Sequence, residues 1–207
     1  MKKFIVLALS ALAFVMGEVQ AQFSLSGALD ALTGGSKSQT SQPSPAERFA
    51  AGAPAARQIV ARWVYDSAAI EYIGDNSLAR MGVEAARGKL AEAYAKAGIV
   101  RGCGSVQLRR NGTFSAVSGD YAVDGRYEYD PKSGRIVFDA AVGGESVECG
   151  GYIALAGERL TVLLDLNEAL AIAKRLYPQL TSDQSLAGIA ALVEALPGIY
   201  AGGVMTR

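Results

Sequence analysis

The side chains whose type and placement admit chemistry are two cysteines, Cys103 and Cys149, and four carboxylates near expected strand ends, Glu71, Asp75, Asp139 and Asp165. Histidine is absent, which removes the commonest general base and the commonest transition-metal ligand, and with them any Ser-His-Asp acyl transfer. Two carboxylates can do hydrolytic acid/base work when about 5 to 9 Å apart with one pKa raised. The sequence shows neither condition, so solvated charges or helix caps are the expected roles, Asp165 capping the helix that follows it. Cys103 and Cys149 form an even pair and, if the chain is exported, are expected as a disulfide across one end of the fold rather than as metal ligands or a nucleophile. Gly34-Gly35-Ser36-Lys37-Ser38 is rich in the residues of a phosphate loop but lacks the adjacent Gly-Lys-Ser/Thr and a strand ahead of it, and is set aside. No catalytic residue, metal ligand or cofactor is therefore assigned, and the chain reads as non-enzymatic.

The N-terminus sets the compartment. Lys2 and Lys3 precede the apolar run Phe4 to Met16, and Val19-Gln20-Ala21 puts small residues at the positions a signal peptidase reads. A cleaved signal peptide over residues 1–21 is expected, with the mature chain starting at Gln22 and exported to the periplasm or beyond. The apolar run is too short for a membrane span, which needs about 18 residues. The chain has 20 Lys and Arg against 20 Asp and Glu, and losing Lys2, Lys3 and Glu18 leaves a net charge of about −1, which argues against a nucleic-acid partner. The remaining length suits one core and one domain.

Residues 22–54 are expected to be a mobile N-terminal segment and a tether rich in Ser, Gly, Gln, Pro and Ala, leaving one domain over residues 55–207. Within it, Ile59 to Tyr65 alternates as strand one. A slim, alanine- and glycine-rich helix follows from Asn76 to Gly98, with an apolar stripe of Leu78, Met81, Ala85, Leu90, Ala93 and Tyr94. From Cys103 to Asp165 short alternating strands succeed one another, each separated by a tight-turn signal: Asn111-Gly112, Ser118-Gly119-Asp120, Asp130 to Gly134, Gly143-Gly144 and Gly157-Glu158. Gly150-Gly151 reads as a bulge or bend. Two helices, Asn167 to Leu180 and Ser182 to Leu196, precede a last strand over Ile199 to Thr206, which would pair with strand one and close a barrel. The fold class is mostly β with helical insertions: an antiparallel β-barrel of about eight strands, one helix after strand one and two before the last strand.

With the strands laid out, Ala61-Arg62-Trp63, the hairpin Asn111-Gly112-Thr113-Phe114, Gly125-Arg126-Tyr127-Glu128-Tyr129 and the closing strand containing Gly203 resemble a lipocalin-like family of exported bacterial proteins of unknown function. The resemblance spans about Ile59 to Arg207. Trp63 matches the tryptophan of the lipocalin Gly-X-Trp signature, which plugs the closed end of the barrel, with Ala61 in place of the glycine. The resemblance implies a β-barrel with one open mouth and no catalytic residue.

Strand parity turns Trp63, Tyr65, Val106, Phe114, Tyr127, Tyr129 and Phe138 toward the interior, and Gly125, Gly150 and Gly151 would leave space beside them. The set lines a cavity for a small apolar ligand or forms a plain core, and the sequence does not choose. Two functions follow: an exported, non-catalytic binding protein with an apolar ligand in its barrel, or a structural or protein-interaction component of the bacterial envelope with a filled barrel and an exposed apolar face on the Leu186 to Leu196 helix.

Overall fold

The alternating segments become eight antiparallel strands: β1 (Arg62–Tyr72), β2 (Gly104–Leu108), β3 (Thr113–Ser118), β4 (Tyr121–Asp130), β5 (Arg135–Val142), β6 (Glu145–Ala156), β7 (Arg159–Asp165) and β8 (Ile199–Thr206). They are seen in a computed structural model that describes residues 45–74, 76–96, 98–119, 121–176, 193–194 and 197–207. Each strand pairs with the next, and β8 pairs with both β7 and β1, so the sheet closes on itself and none of the described strands is an edge. The expected signal peptide, the segment up to residue 44, Asp75 and, apart from residues 193–194, the helix expected over Ser182 to Leu196 lie outside the described residues.

The turns follow from their side chains. At Asn111-Gly112 the glycine takes φ +75, Arg109 N donates to Thr113 O at 2.9 Å, and Asn111 Oδ1 accepts from Thr113 N and Oγ1, which fixes the β2–β3 register. At the next turn on the same end, Asp130 accepts from Lys132 N at 2.9 Å and from Ser133 Oγ at 2.6 Å. These bonds hold the Asp130 carboxyl below its ordinary range.

Four helices are described: α1 (Pro45–Ala51), α2 (Ala56–Ile59), α3 (Ser77–Lys96) and α4 (Leu166–Leu176). Asn76 Oδ1 accepts from Ala79 N to cap α3, and Asp165 accepts from Asn167 N and Glu168 N to cap α4. The inward faces of the strands, with these helices, build two apolar cores. Ile59, Trp63, Leu108, Phe114, Ile136, Ile153 and Leu160 pack the end where β1 starts. Ile70, Tyr72, Val83, Leu90, Tyr94, Leu166 and Leu170 pack the other end, where α3 and α4 sit over the barrel.

Four expectations are corrected. Strand one does not begin at Ile59: that residue ends α2, fully buried, and the strand runs on to Tyr72. A register shift between Tyr65 and Ser67 reverses the alternation, which is why the later half of the strand does not continue the earlier pattern. Met81, placed in the helical stripe, is 69 % exposed, and Ala79 and Val83 face the core instead. Gly150-Gly151 is not a bulge, because pairing runs through both without a shift. The domain also begins before residue 55: Phe49 of α1 is buried against Tyr152 on the outer wall, Leu155 N donates to Gly52 O, and Tyr129 donates its hydroxyl to Pro54 O.

Candidate functional site

Between the two cores lies a cavity of about 310 Å³. Its floor is Trp63, fully buried, whose Nε1 donates to Ile59 O at 2.7 Å while the Arg207 guanidinium lies 4.9 Å from the ring centroid on its other side. A tryptophan with its one donor satisfied and a cation over its face is a fixed stopper. Above it Phe114 and Phe138 meet edge to face at 5.0 Å, and Leu108, Leu160, Val162 and Met205 add an apolar wall.

Five of the seven expected lining residues, Trp63, Tyr65, Val106, Phe114 and Phe138, line this cavity. Tyr127 and Tyr129 do not. They face inward but sit too near the closed end, where the Tyr127 hydroxyl donates to Arg109 O and that of Tyr129 to Pro54 O, each at 2.7 Å. Alternation gives the face a residue points to, but its height along the barrel depends on register. The glycines expected to spare volume do not enlarge the cavity. A Cβ on Gly125 would strike Asp139 O and the Phe114 ring, and one on Gly151 would strike Leu163 O, so their space is occupied by close neighbours. Gly150 lies among Glu168 and Arg135 on the outer wall.

The expected disulfide is not formed: Cys103 and Cys149 are both free thiols. They do lie toward the same end of the barrel. However, β2 and β6, which carry or adjoin them, are four strands apart in either direction around the closed sheet. Eight tilted strands about 4.8 Å apart make a ring roughly 16 Å across, and a disulfide needs Cα atoms within about 7 Å. The lumen separates the two thiols, and both line the cavity. Burial, and then the Glu168 and Asp165 carboxylates, push the Cys149 thiol up to about 12.

The upper part of the cavity holds residues that periodicity alone did not point to. Tyr94 and Ile99 come from α3 and the loop after it, and Leu166, Ala169 and Ile172 from β7's exit and α4. Tyr94 had a signal, since it belongs to the expected stripe of its helix, but nothing in the sequence says that this stripe roofs the barrel. The Tyr65 and Tyr94 rings lie 6.2 Å apart. Burial holds both phenols well above the ordinary tyrosine value, helped for Tyr65 by Cys103 and Asp66 and for Tyr94 by Tyr65 itself. Ser118 is the buried polar residue of the upper wall.

The described carboxylates lie elsewhere. Glu71 pairs with Arg87 at 2.9 Å, Asp139 accepts from Ser146 Oγ on the outer face, and Asp165 caps α4. None lines the cavity. Among the described residues no cluster of three or more Cys, Asp or Glu is arranged to hold a metal ion, and no described helix is long and apolar enough to cross a membrane.

Residues 46–207 match the model of a family described as a lipocalin-like domain, DUF4923. No curated protein and no solved structure matches the chain.

Proposed function

The chain belongs to this family of lipocalin-like domains, and from that premise we propose that it is an exported, non-catalytic protein that binds a small apolar molecule in its barrel. The observation that carries the reading is the cavity of about 310 Å³ between two packed cores, lined mostly by aromatic and aliphatic side chains and, among the described residues, by no Lys, Arg, Asp or Glu. That volume is at the lower end of the range for small-molecule sites. An empty apolar volume of this size leaves its lining without contacts on one side, and an apolar ligand restores them. The alternative, an envelope interaction protein with a filled barrel, loses its main support where such a volume lies between the cores.

Export rests on Lys2 and Lys3, the apolar run from Phe4 to Met16 and the small residues before Gln22. Its test is N-terminal sequencing of the protein recovered from the periplasm of a bacterial host. A chain starting at Gln22 supports it, and an intact Met1 overturns it.

Binding is tested with an apolar fluorescent dye on the folded, purified chain, together with native mass spectrometry before and after denaturation. Saturation at one dye per chain, quenching or shifting of Trp63 emission, and loss of binding in a still-folded Phe114→Asp variant are expected. A folded protein without a saturable site would replace this reading with the interaction-protein one.

A further inference from the structure

Most of the cavity is apolar, but one region of its wall is not. Tyr94 is 5 % exposed, lines the cavity, and its hydroxyl makes no hydrogen bond among the described residues. Among the described residues Arg80 Nε is the one fully buried side-chain polar atom without a partner, so the Tyr94 hydroxyl is not sealed in the core but keeps access to the cavity, where it can donate to a ligand. Tyr65 beside it and Ser118 on the same upper wall also line the cavity, and their hydroxyls likewise have no partner among the described residues. Three hydroxyls without protein partners, two of them on side chains more than nine-tenths buried, open into one end of an otherwise apolar volume.

The charges around this end narrow the class of group that would satisfy them. Among the described residues no lysine or arginine lines the cavity. Arg101 and Arg159 are both held on Asp66 at 3.0 Å, and Asp66 itself bears on the Tyr65 phenol. Across the lumen, Glu168 and Asp165 bear on Cys149. A carboxylate placed at the polar end would therefore be desolvated with no described cation in the lining to pair with it. The phenols stay protonated and act as donors, since burial disfavours their ionised form. Donors without cations fit a neutral acceptor.

We propose that the cavity takes a neutral amphiphile, its apolar body lying against Trp63, Phe114 and Phe138 and an uncharged carbonyl group accepting hydrogen bonds from Tyr94 and Tyr65. The cavity discriminates against the carboxylate of the same length. At protein-interior packing its volume holds a molecule of about a dozen non-hydrogen atoms. This rests on the binding reading above and adds the head group to it.

The test is displacement of the apolar dye by three probes of nearly equal size, methyl decanoate, dodecane and dodecanoate, at mildly alkaline pH where the acid is ionised. Methyl decanoate is expected to displace the dye at a concentration about a hundredfold or more below that needed by dodecanoate. Tyr94→Phe keeps the ring and removes the donor, and is expected to weaken the ester about three- to tenfold while leaving dodecane unchanged. If that variant melts far below the wild type, Tyr65→Phe serves in its place with the same expectation. Dodecanoate binding as tightly as the ester, or an ester affinity indifferent to loss of either phenol, overturns the head-group assignment while dodecane binding leaves the cavity reading standing. Failure of all three probes and of the dye overturns both.

Discussion

Gly203 on β8 lies directly beneath the ring of Tyr65 on β1: a Cβ there would stand 2.7 Å from Tyr65 Cε2 and 3.2 Å from Ser67 O. The two strands are paired at this height, with Tyr65 opposite Met205 and Ala68 opposite Gly203, and the register shift that follows Tyr65 lets its ring lean across to β8. The absence of a side chain on one strand therefore sets the position of a cavity-lining phenol on the next. Gly203→Ala is expected to push the Tyr65 ring toward the lumen and to destabilise by about 1–3 kcal/mol, as overpacking of a tight contact does. Dye affinity should fall several-fold at the same time. An unchanged melting temperature with unchanged dye affinity would show that the ring moves aside freely.

Trp63 is expected to govern the whole closed end. It is fully buried, bonded to Ile59 O and stacked under Arg207, whose guanidinium also donates to Gln58 O at 2.9 Å. Trp63→Ala should cost about 3–5 kcal/mol, which for a domain of this length lowers the melting temperature by about 6–20 °C, or prevents folding altogether. Trp63→Phe keeps the packing and loses the hydrogen bond, and should fall between the two.

The barrel was legible because its information is local. Alternation in Arg135 to Val142 and Arg159 to Asp165, and turn residues such as Asn111-Gly112, specify strands and hairpins over a few residues each. What was not legible depends on closure. That Cys103 and Cys149 share an end follows from strand direction, but that they face each other across the lumen follows from their being diametrically placed in a ring of eight. Likewise Tyr127 and Tyr129 have inward parity, yet their height above or below the cavity is set by the stagger of β4 against β5. Tyr94 was visible as a helical stripe residue, and its place at the cavity depends on a helix docking that no local pattern encodes.

The thiols give a direct measurement. Two free thiols per chain should titrate when the protein is unfolded without reductant, and none should be lost to an internal bridge. In the folded protein Cys149 should react slowly near neutral pH, because burial and the neighbouring carboxylates disfavour its thiolate. Rapid modification of Cys149 in the native state, or no thiol on unfolding, would contradict the structure.

The tyrosines set the alkaline limit of stability. Burial raises Tyr65, Tyr94 and Tyr200 well above the ordinary 10.0, and burial, with Asp130 adding to it, raises Tyr129 to about 12. In the unfolded chain these phenols lose their protons near 10, while the folded protein still holds them. The stability they contribute is thus complete below pH 10 and falls as pH rises through the folded values. Denaturant midpoints should be level up to about pH 9.5 and decline above it, and tyrosinate absorbance in the folded protein should rise in part only with unfolding. Full reversible ionisation of all tyrosines near 10 in a folded barrel would contradict the burial described here.

Filling the cavity separates its volume from its chemistry. Ala116 on β3 lines it with a single methyl group and is paired with Val106 and Val123. Ala116→Phe directs a ring into the empty volume rather than into packed side chains, so the usual overpacking cost of about 1–3 kcal/mol does not arise. New contacts with the lining should instead leave the melting temperature unchanged or raise it. Dye binding should weaken more than about tenfold, because the ligand must now displace a covalently attached ring. A folded Ala116→Phe that binds dye as the wild type does would place the dye outside the barrel. A strongly destabilised one would mean that the volume between the two cores is already closed by side-chain relaxation in solution.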